Sequence, residues 1–359
     1  MNVYLIVTPH QLLNAIEARH YFELEDNHLY IVVSKTYPVE LFKPLLDDSK
    51  WDSVTFIGKS KKYNIDYERE IQRLSVRVAL FRDELLRRKE LDKIAASIKG
   101  VSTLMVGNYK MNFIKHFANK IHHERLIALD DGTATLRVYN ERAEKPNESG
   151  RNRMTKRFRE FLLGIDPSPA SSITFFSTYD LQPLNGDVLV KNEYRHLRKV
   201  SANTPHNNAI YFLGQQLVEM KILDEDVYIH YLKQIKEHYG SEQLVYIAHK
   251  HEAMGKIERI KNEVGLEIRR FDVPVEYQMS VRGDKPKILA GFSSSAIETC
   301  DHIFAGNIKI NVFVVNPDHL LNRKKFILSI YDYYKKKNSD HFVILPLYGR
   351  GAPVTSGKE

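Results

Sequence analysis

Short apolar runs alternate with amphipathic stretches along most of the chain. Residues 3–7 (Val-Tyr-Leu-Ile-Val) end at Thr8-Pro9-His10-Gln11, after which Leu12, Leu13, Ile16 and Ala18 recur at near-helical spacing. That pattern predicts a strand, a tight turn and a helix. Further buried-strand runs fall at 29–33, 54–57, 103–106 and 126–129. Leu74, Val78, Phe81 and Leu85 mark one face of a helix between the third and fourth strands, and another helix starts near Asn112. Strands that alternate with helices imply parallel βαβ units. Residues 173–176 and 188–190 extend the series, and the polar stretch 201–208 marks the candidate domain crossing. A second series follows, with strands at 209–213, 244–247, 266–271, 288–290 and 311–315 and helices at 226–239 and 257–264. The expected fold class is therefore α/β in two halves, residues 1–200 and 201–359, the second ending in a helix and a polar tail. Residues 141–157, rich in charge with Pro146, Ser149 and Gly150, read as a mobile loop, and the tail 348–359 reads as frayed.

At 359 residues and 43% hydrophobic content the chain has enough apolar material for two ordinary cores. No apolar run approaches the roughly 18 residues of a bilayer-crossing helix. The first residues enter a strand without a basic, cleavable leader, and a single cysteine, Cys300, makes no internal disulfide. Both favour a cytoplasmic location. A formal charge of +8, from 53 basic and 45 acidic residues, suits an anionic substrate, an anionic membrane or nucleic acid and selects none of them. No aromatic-basic motif or zinc spacing supports nucleic acid. Basic clusters at Lys59, Lys61 and Lys62, at 151–159 and at 335–337 read first as solvated patches and second as membrane or acceptor docking.

Three segments carry candidate chemistry, each at the carboxyl end of an expected strand, where ligands bind in open α/β sheets. Asp130-Asp131-Gly132 pairs two carboxylates, one to be held by backbone donors and one to accept a proton; alone it is equally an Asp-Gly turn. His249-Lys250-His251-Glu252 offers an imidazole able to hydrogen-bond a departing phosphate. Alone it is a surface histidine pair, and as a metal site it lacks a third ligand. Ser293-Ser294-Ser295 before a helix offers hydroxyl and amide donors to a phosphate, or a plain serine cap. His10, Gln11 and Asn108 also sit at strand ends, as cleft residues or structural turns. Asp224-Glu225-Asp226 reads as a helix start rather than a metal-binding Asp-x-Asp.

In this order the segments resemble the acidic-acidic-Gly, His-Pro and serine motifs of bacterial sialyltransferases. The nearest likeness is to the lipooligosaccharide sialyltransferases of glycosyltransferase family 52, and a more distant one is to bacterial polysialyltransferases. Pro274-Val275-Glu276-Tyr277 resembles the family's Pro-x-Glu segment. The resemblance spans about residues 129–296; Lys250 stands where the family has proline. It implies a GT-B fold, two Rossmann-like domains facing a central cleft, and an inverting, metal-independent transfer of sialic acid from CMP-sialic acid to a hydroxyl of a surface glycan. In that scheme Asp131 is the base, with Asp130 as the second candidate. His249 assists departure of CMP, Ser293, Ser294, Ser295 and Gly132 bind the donor, and Glu276 holds the ribose hydroxyls. No cofactor is implied beyond the donor substrate. A lipid-linked acceptor would bring peripheral contact with the inner membrane. Rival readings are another CMP-activated nonulosonic acid or Kdo as donor, and a non-catalytic nucleotide- or glycan-binding protein. Acceptor, linkage, chain length of the product and oligomeric state are not legible.

Overall fold

The structure, a computed structural model, describes residues 1–34, 36–47, 50–58, 74–143, 150–184 and 186–347. It divides into two compact units, Met1–His196 and Leu197–Glu359. Unit 1 is a seven-stranded parallel sheet of β1 (Asn2–Ile6), β2 (Asn27–Val32), β3 (Ser53–Ile57), β4 (Val101–Gly107), β5 (His123–Leu129), β6 (Thr174–Ser177) and β7 (Val188–Lys191). Its order across the sheet is β3-β2-β1-β4-β5-β6-β7. The helices are α1 (Pro9–Tyr21), α2 (Lys43–Asp47), α3 (Leu74–Ser97), α4 (Asn112–Lys120), α5 (Thr133–Ala143), α6 (Gly150–Leu163) and α7 (Arg195–Ser201), the last of which spans the division between units.

Unit 2 repeats the plan with six parallel strands: β8 (Ile210–Leu213), β9 (Leu244–Ile247), β10 (Glu267–Arg269), β11 (Ile288–Gly291), β12 (Lys309–Val314) and β13 (Phe342–Pro346). Their order is β10-β9-β8-β11-β12-β13. The helices are α8 (Glu225–Tyr239), α9 (Met254–Arg259), α10 (Val275–Tyr277), α11 (Ser295–Phe304) and α12 (Lys324–Lys335). Every residue of β1, β8, β9 and β11 is buried. Parallel strands are covered on both faces by crossover helices, so central ones are apolar throughout rather than alternating.

In each unit the chain builds outward from one strand, β1 or β8, and then crosses back to lay β4 or β11 against its other side. That reversal leaves a crevice at the carboxyl ends of the two central strands. Register keeps those ends level. Leu5 pairs with Val106 and Val106 with Ala128 in unit 1, while Ile247, Leu213 and Gly291 form one row in unit 2.

Several expectations need correction. Residues 141–143 and 150–157 are helical, in α5 and α6, because arginine, lysine, methionine and glutamate sustain helix without a buried face; residues 144–149 lie outside the described residues. Val78 faces solvent instead of joining the buried side of α3. Lys337 is no solvated cation. It bridges Glu298 (2.9 Å) and Asp301 (2.5 Å), fastening the end of α12 to α11. Strand β13 was unread, since this edge strand ends in Pro346 and is half-exposed. Asp224 caps α8 by accepting from Asp226 N at 2.9 Å, so that triplet is a helix start. Lys59, Lys61, Lys62 and the tail 348–359 lie outside the described residues. Among the described residues no helix is long and apolar enough to cross a membrane.

Asn14, fully buried on α1, ties unit 1 together. Its Nδ2 donates to the carbonyls of His10 and Asp130, both at 3.1 Å, and its Oδ1 accepts from Asn192 (2.9 Å) and Tyr194 (2.6 Å). Asn14→Ala strands several buried polar groups at once, and we expect it to cost about 2–4 kcal/mol in urea-melt stability.

Candidate functional site

In unit 1 the Asp130-Asp131-Gly132 turn follows β5 directly. Asp130 is buried, and both its oxygens are filled. Oδ1 accepts from Gly132 N (2.8 Å) and Thr135 Oγ1 (2.9 Å); Oδ2 accepts from Ser177 Oγ (2.9 Å), Thr178 N (3.0 Å) and Thr178 Oγ1 (3.1 Å). Those donors come from the head of α5 and the end of β6, so this carboxylate staples two loops. Gly132 takes φ 61°, which a glycine adopts without strain, and its amide is spent on Asp130 rather than on a ligand.

Asp131 has a different environment. Its amide donates to Thr135 Oγ1 (2.8 Å), the residue is half-buried, and its carboxyl lies near Gln11, His10 and Tyr37. Loss of hydration raises its pKa from 3.8 to about 6, with a further push from the Asp130 charge; the Gln11 amide and the His10 ring act in the opposite sense. Burial, assisted by the Asp131 charge, raises the Tyr37 phenol.

Gln11 belongs to the turn after β1, where Thr8 caps α1 by accepting from Gln11 N at 3.2 Å. Its Oε1 accepts from Val7 N at 2.7 Å, and its buried Nε2 lies near Asp131 without a well-formed hydrogen bond. A Cβ at Gly107 would overlap this side chain, so the end of β4 must be glycine for Gln11 to lie there. Asn108, the next residue, holds φ 44° with its Oδ1 buried and unbonded. Asn108, Tyr109, Asp131 and Thr135 line one small pocket with Val138 and Phe175. The structure thus gathers His10, Gln11, Asn108 and Asp131 at the reversal crevice of unit 1.

In unit 2 His249 follows β9. Its Nδ1 accepts from His251 N at 3.3 Å, an assignment that puts the proton of the neutral ring on Nε2. Burial, then the charges of His251, Lys250 and Lys256, lowers its pKa from 6.5 to about 4. A neutral imidazole that donates from Nε2 results. Lys250 is itself lowered to about 8 by burial. The two histidine rings stand 5.3 Å apart, and among the described residues no three His, Cys, Asp or Glu side chains converge as metal ligands.

The histidine turn is held by a buried network that pattern reading missed. Glu252 accepts from His249 N (2.6 Å) and Tyr246 Oη (2.5 Å) and pairs with Lys256 (2.7 Å). Lys256 also reaches Glu219 and the Gln215 carbonyl, both at 3.0 Å, and Gln215 Oε1 accepts from Ser293 N at 2.9 Å. One chain of bonds thus joins the histidine turn to the serine loop. Gly214 is required here, because a Cβ would strike Glu252 and Tyr246. The signal available in sequence was Gly214-Gln215 at the end of a strand, the same position that drew attention to His249 and Ser293.

Ser293 is buried. Ser294 caps α11 through Ala296 N (3.3 Å), and Ser295 opens the helix with its hydroxyl unpartnered among the described residues. Glu276 is buried on α10, and its charge helps raise the thiol of Cys300 on α11, so it lies against the serine helix.

No protein-family profile matches the chain, and no curated protein resembles it in sequence. Its fold is similar to that of UGT89C1 from Arabidopsis thaliana complexed with UDP, at 12% identity and TM-score 0.51 over 96% of this chain and 85% of that one. It is similar also to a putative UDP-N-acetylglucosamine 2-epimerase from Listeria monocytogenes, at 13% identity and TM-score 0.51 over 92% and 88%. The chain has the GT-B fold. A GT-B scaffold shared by proteins of such different names does not choose a reaction, so the residues must.

Asp131 gives a stability signature. The folded protein holds its proton more tightly than the unfolded chain, so its contribution is complete below 3.8 and is lost as pH rises through about 6. Asp131→Asn should therefore match the parent near pH 3.5 and exceed it above pH 7, by at most about 3 kcal/mol, in thermal melts across pH.

Proposed function

We propose that this protein is an inverting glycosyltransferase that moves sialic acid from CMP-sialic acid to a hydroxyl of a bacterial surface-glycan acceptor, without a metal ion. The observation that carries the reading is the division of labour in the Asp130-Asp131 pair. Asp130 is saturated with donors, whereas Asp131 is half-buried as a residue and has a desolvated carboxyl whose pKa of about 6 makes it ionised yet basic enough at neutral pH to take a proton.

The acceptor hydroxyl gives its proton to Asp131 as its oxygen bonds to the anomeric carbon; the bond from that carbon to the CMP phosphate breaks, and the phosphate leaves with the bonding pair. His249 Nε2–H, the α11 amides and the Ser294 and Ser295 hydroxyls donate to the departing phosphate. Fixed donors of this kind stabilise developing charge at little reorganisation cost. Because His249 is neutral, it acts first as a hydrogen-bond donor, and an arriving phosphate raises its affinity for a proton. Glu276, buried against the same helix, is assigned to the ribose hydroxyls.

Lys250 admits a second reading of the donor. It stands where the resembled sialyltransferase motif has proline, and its cation suits the carboxylate shared by sialic acid and its relatives, so a different CMP-activated nonulosonic acid or Kdo is the nearest alternative.

Release of CMP from a panel of such donors, with EDTA present, tests the donor class. Release from CMP-sialic acid supports the first reading, and release only from a relative supports the second. No release and no CMP binding by calorimetry sinks both. The rate should fall as pH drops below about 6, where Asp131 becomes protonated. Asp131→Asn should lower kcat by about 10²–10⁴ while CMP still binds, and His249→Ala should lower kcat by a smaller factor. Full activity in Asp131→Asn would remove the base assignment.

A further inference from the structure

The turn after β8, Gly214-Gln215, lies between the histidine turn and the serine loop, because β8 runs between β9 and β11. Gln215 is half-buried, and its main chain is held on both sides. Its N–H donates to Tyr228 Oη (3.2 Å), that hydroxyl meets Tyr246 Oη (2.8 Å), and Tyr246 donates to Glu252 (2.5 Å). Because Tyr246 spends its proton on Glu252, Tyr228 must donate to Tyr246, and the run points one way. Bonds aligned like this polarise one another. The Gln215 carbonyl accepts from the buried Lys256 ammonium at 3.0 Å.

The side chain is fixed as well, and by one end only. Ser293 N donates to Oε1 at 2.9 Å. An N–H needs an oxygen, so this partner decides which way round the amide lies and puts Nε2 at the other corner. Nε2 has no protein partner among the described residues and, unlike Gln11 Nε2, it is not shut in the interior. Tying down the serine loop takes Oε1 alone; the tie does not employ the donor. A glutamine immobilised at three points thus presents both N–H groups of Nε2 at the carboxyl end of a central strand, where ligands of open α/β sheets bind.

The neighbours narrow what Nε2 can meet. On the β9 side His249 donates from its own Nε2, and on the β11 side Ser295 opens α11 with its hydroxyl unpartnered among the described residues. Donors from three adjacent strand ends suit one oxygen-rich anion, and donors fixed beforehand hold it at little reorganisation cost.

We propose that Gln215 is a further donor-binding residue, whose Nε2 hydrogen-bonds a phosphate oxygen of the CMP-sugar between the contacts assigned to His249 and to Ser294 and Ser295. It rests on the function proposed above and adds that three turns of unit 2, rather than two, hold the phosphate.

The test is calorimetry of the full chain with CMP and with cytidine, which differ by the phosphate. The parent should bind CMP more tightly. Gln215→Glu keeps an oxygen for Ser293 N and replaces only Nε2, whereas Gln215→Met removes tie and donor together. Each should weaken CMP about tenfold or more while cytidine binds as before. The loss in Gln215→Glu should persist at about 0.5 M salt, where a charge acting from a distance is screened. The proposal is overturned, with the nucleotide reading intact, if Gln215→Met binds CMP as the parent does. It is overturned equally if Gln215→Glu matches the parent at high salt, because Gln215 would then be a tie and nothing more. A parent that binds CMP no better than cytidine removes the phosphate contact, and a parent that binds neither removes the donor reading on which the proposal rests.

Discussion

A carboxylate taken out of water has to be surrounded by donors, and in both units one such carboxylate holds the loops on which the candidate chemistry is placed. Asp130 collects two hydroxyls and an amide from the head of α5 and the end of β6, and Thr178 adds both of its donors. Glu252 does the equivalent after β9, with the His249 amide, the Tyr246 phenol and the Lys256 ammonium. Each is consumed by structure. What each leaves in place is a neighbour that is not: Asp131 next to Asp130, His249 three residues before Glu252. Replacing either hub by an apolar residue would leave stranded donors around it, so the hubs are not exchangeable for hydrophobic packing without rebuilding their shells.

Incomplete hydration then tunes the two neighbours in complementary senses. Asp131 loses water, which Gln11 and the His10 ring offset only in part, and its pKa rises to about 6. His249 loses water among positive charges, and its pKa drops to about 4. Burial disfavours whichever form is charged, so one physical effect yields a carboxylate ready to accept a proton and an imidazole that stays neutral. Of a chain whose net charge is +8, Arg82 and Lys89 on α3 and Arg157 on α6 stand exposed beside apolar side chains instead of in a pocket.

The strands of both sheets were legible because a parallel strand buried on both faces is an uninterrupted apolar run, and β1, β8, β9 and β11 are such runs. β13 was not, since an edge strand half open to water and closed by Pro346 loses that signature. Residues 150–157 were misread for a related reason. Loop and exposed helix share a polar composition, and residues 150–157 carry one apolar side chain, Met154, too few to announce a period. For the site, the strand-end rule found Asp131, His249 and the serines, and it passed over Gln215, whose partner Ser293 is 78 positions away.

By itself, then, the sequence determined two series of parallel βαβ units and which polar residues stand at strand ends, because apolar runs and the turns that stop them are local properties. Only the tertiary structure decided which member of the Asp130-Asp131 pair is spent and which is open, that Lys337 is bound and Phe161 bare, and that Lys256 and Gln215 connect histidine to serine. Those outcomes depend on which donors, charges and apolar surfaces arrive from distant parts of the chain, and hydration is lost or kept according to that arrival rather than according to neighbours in sequence.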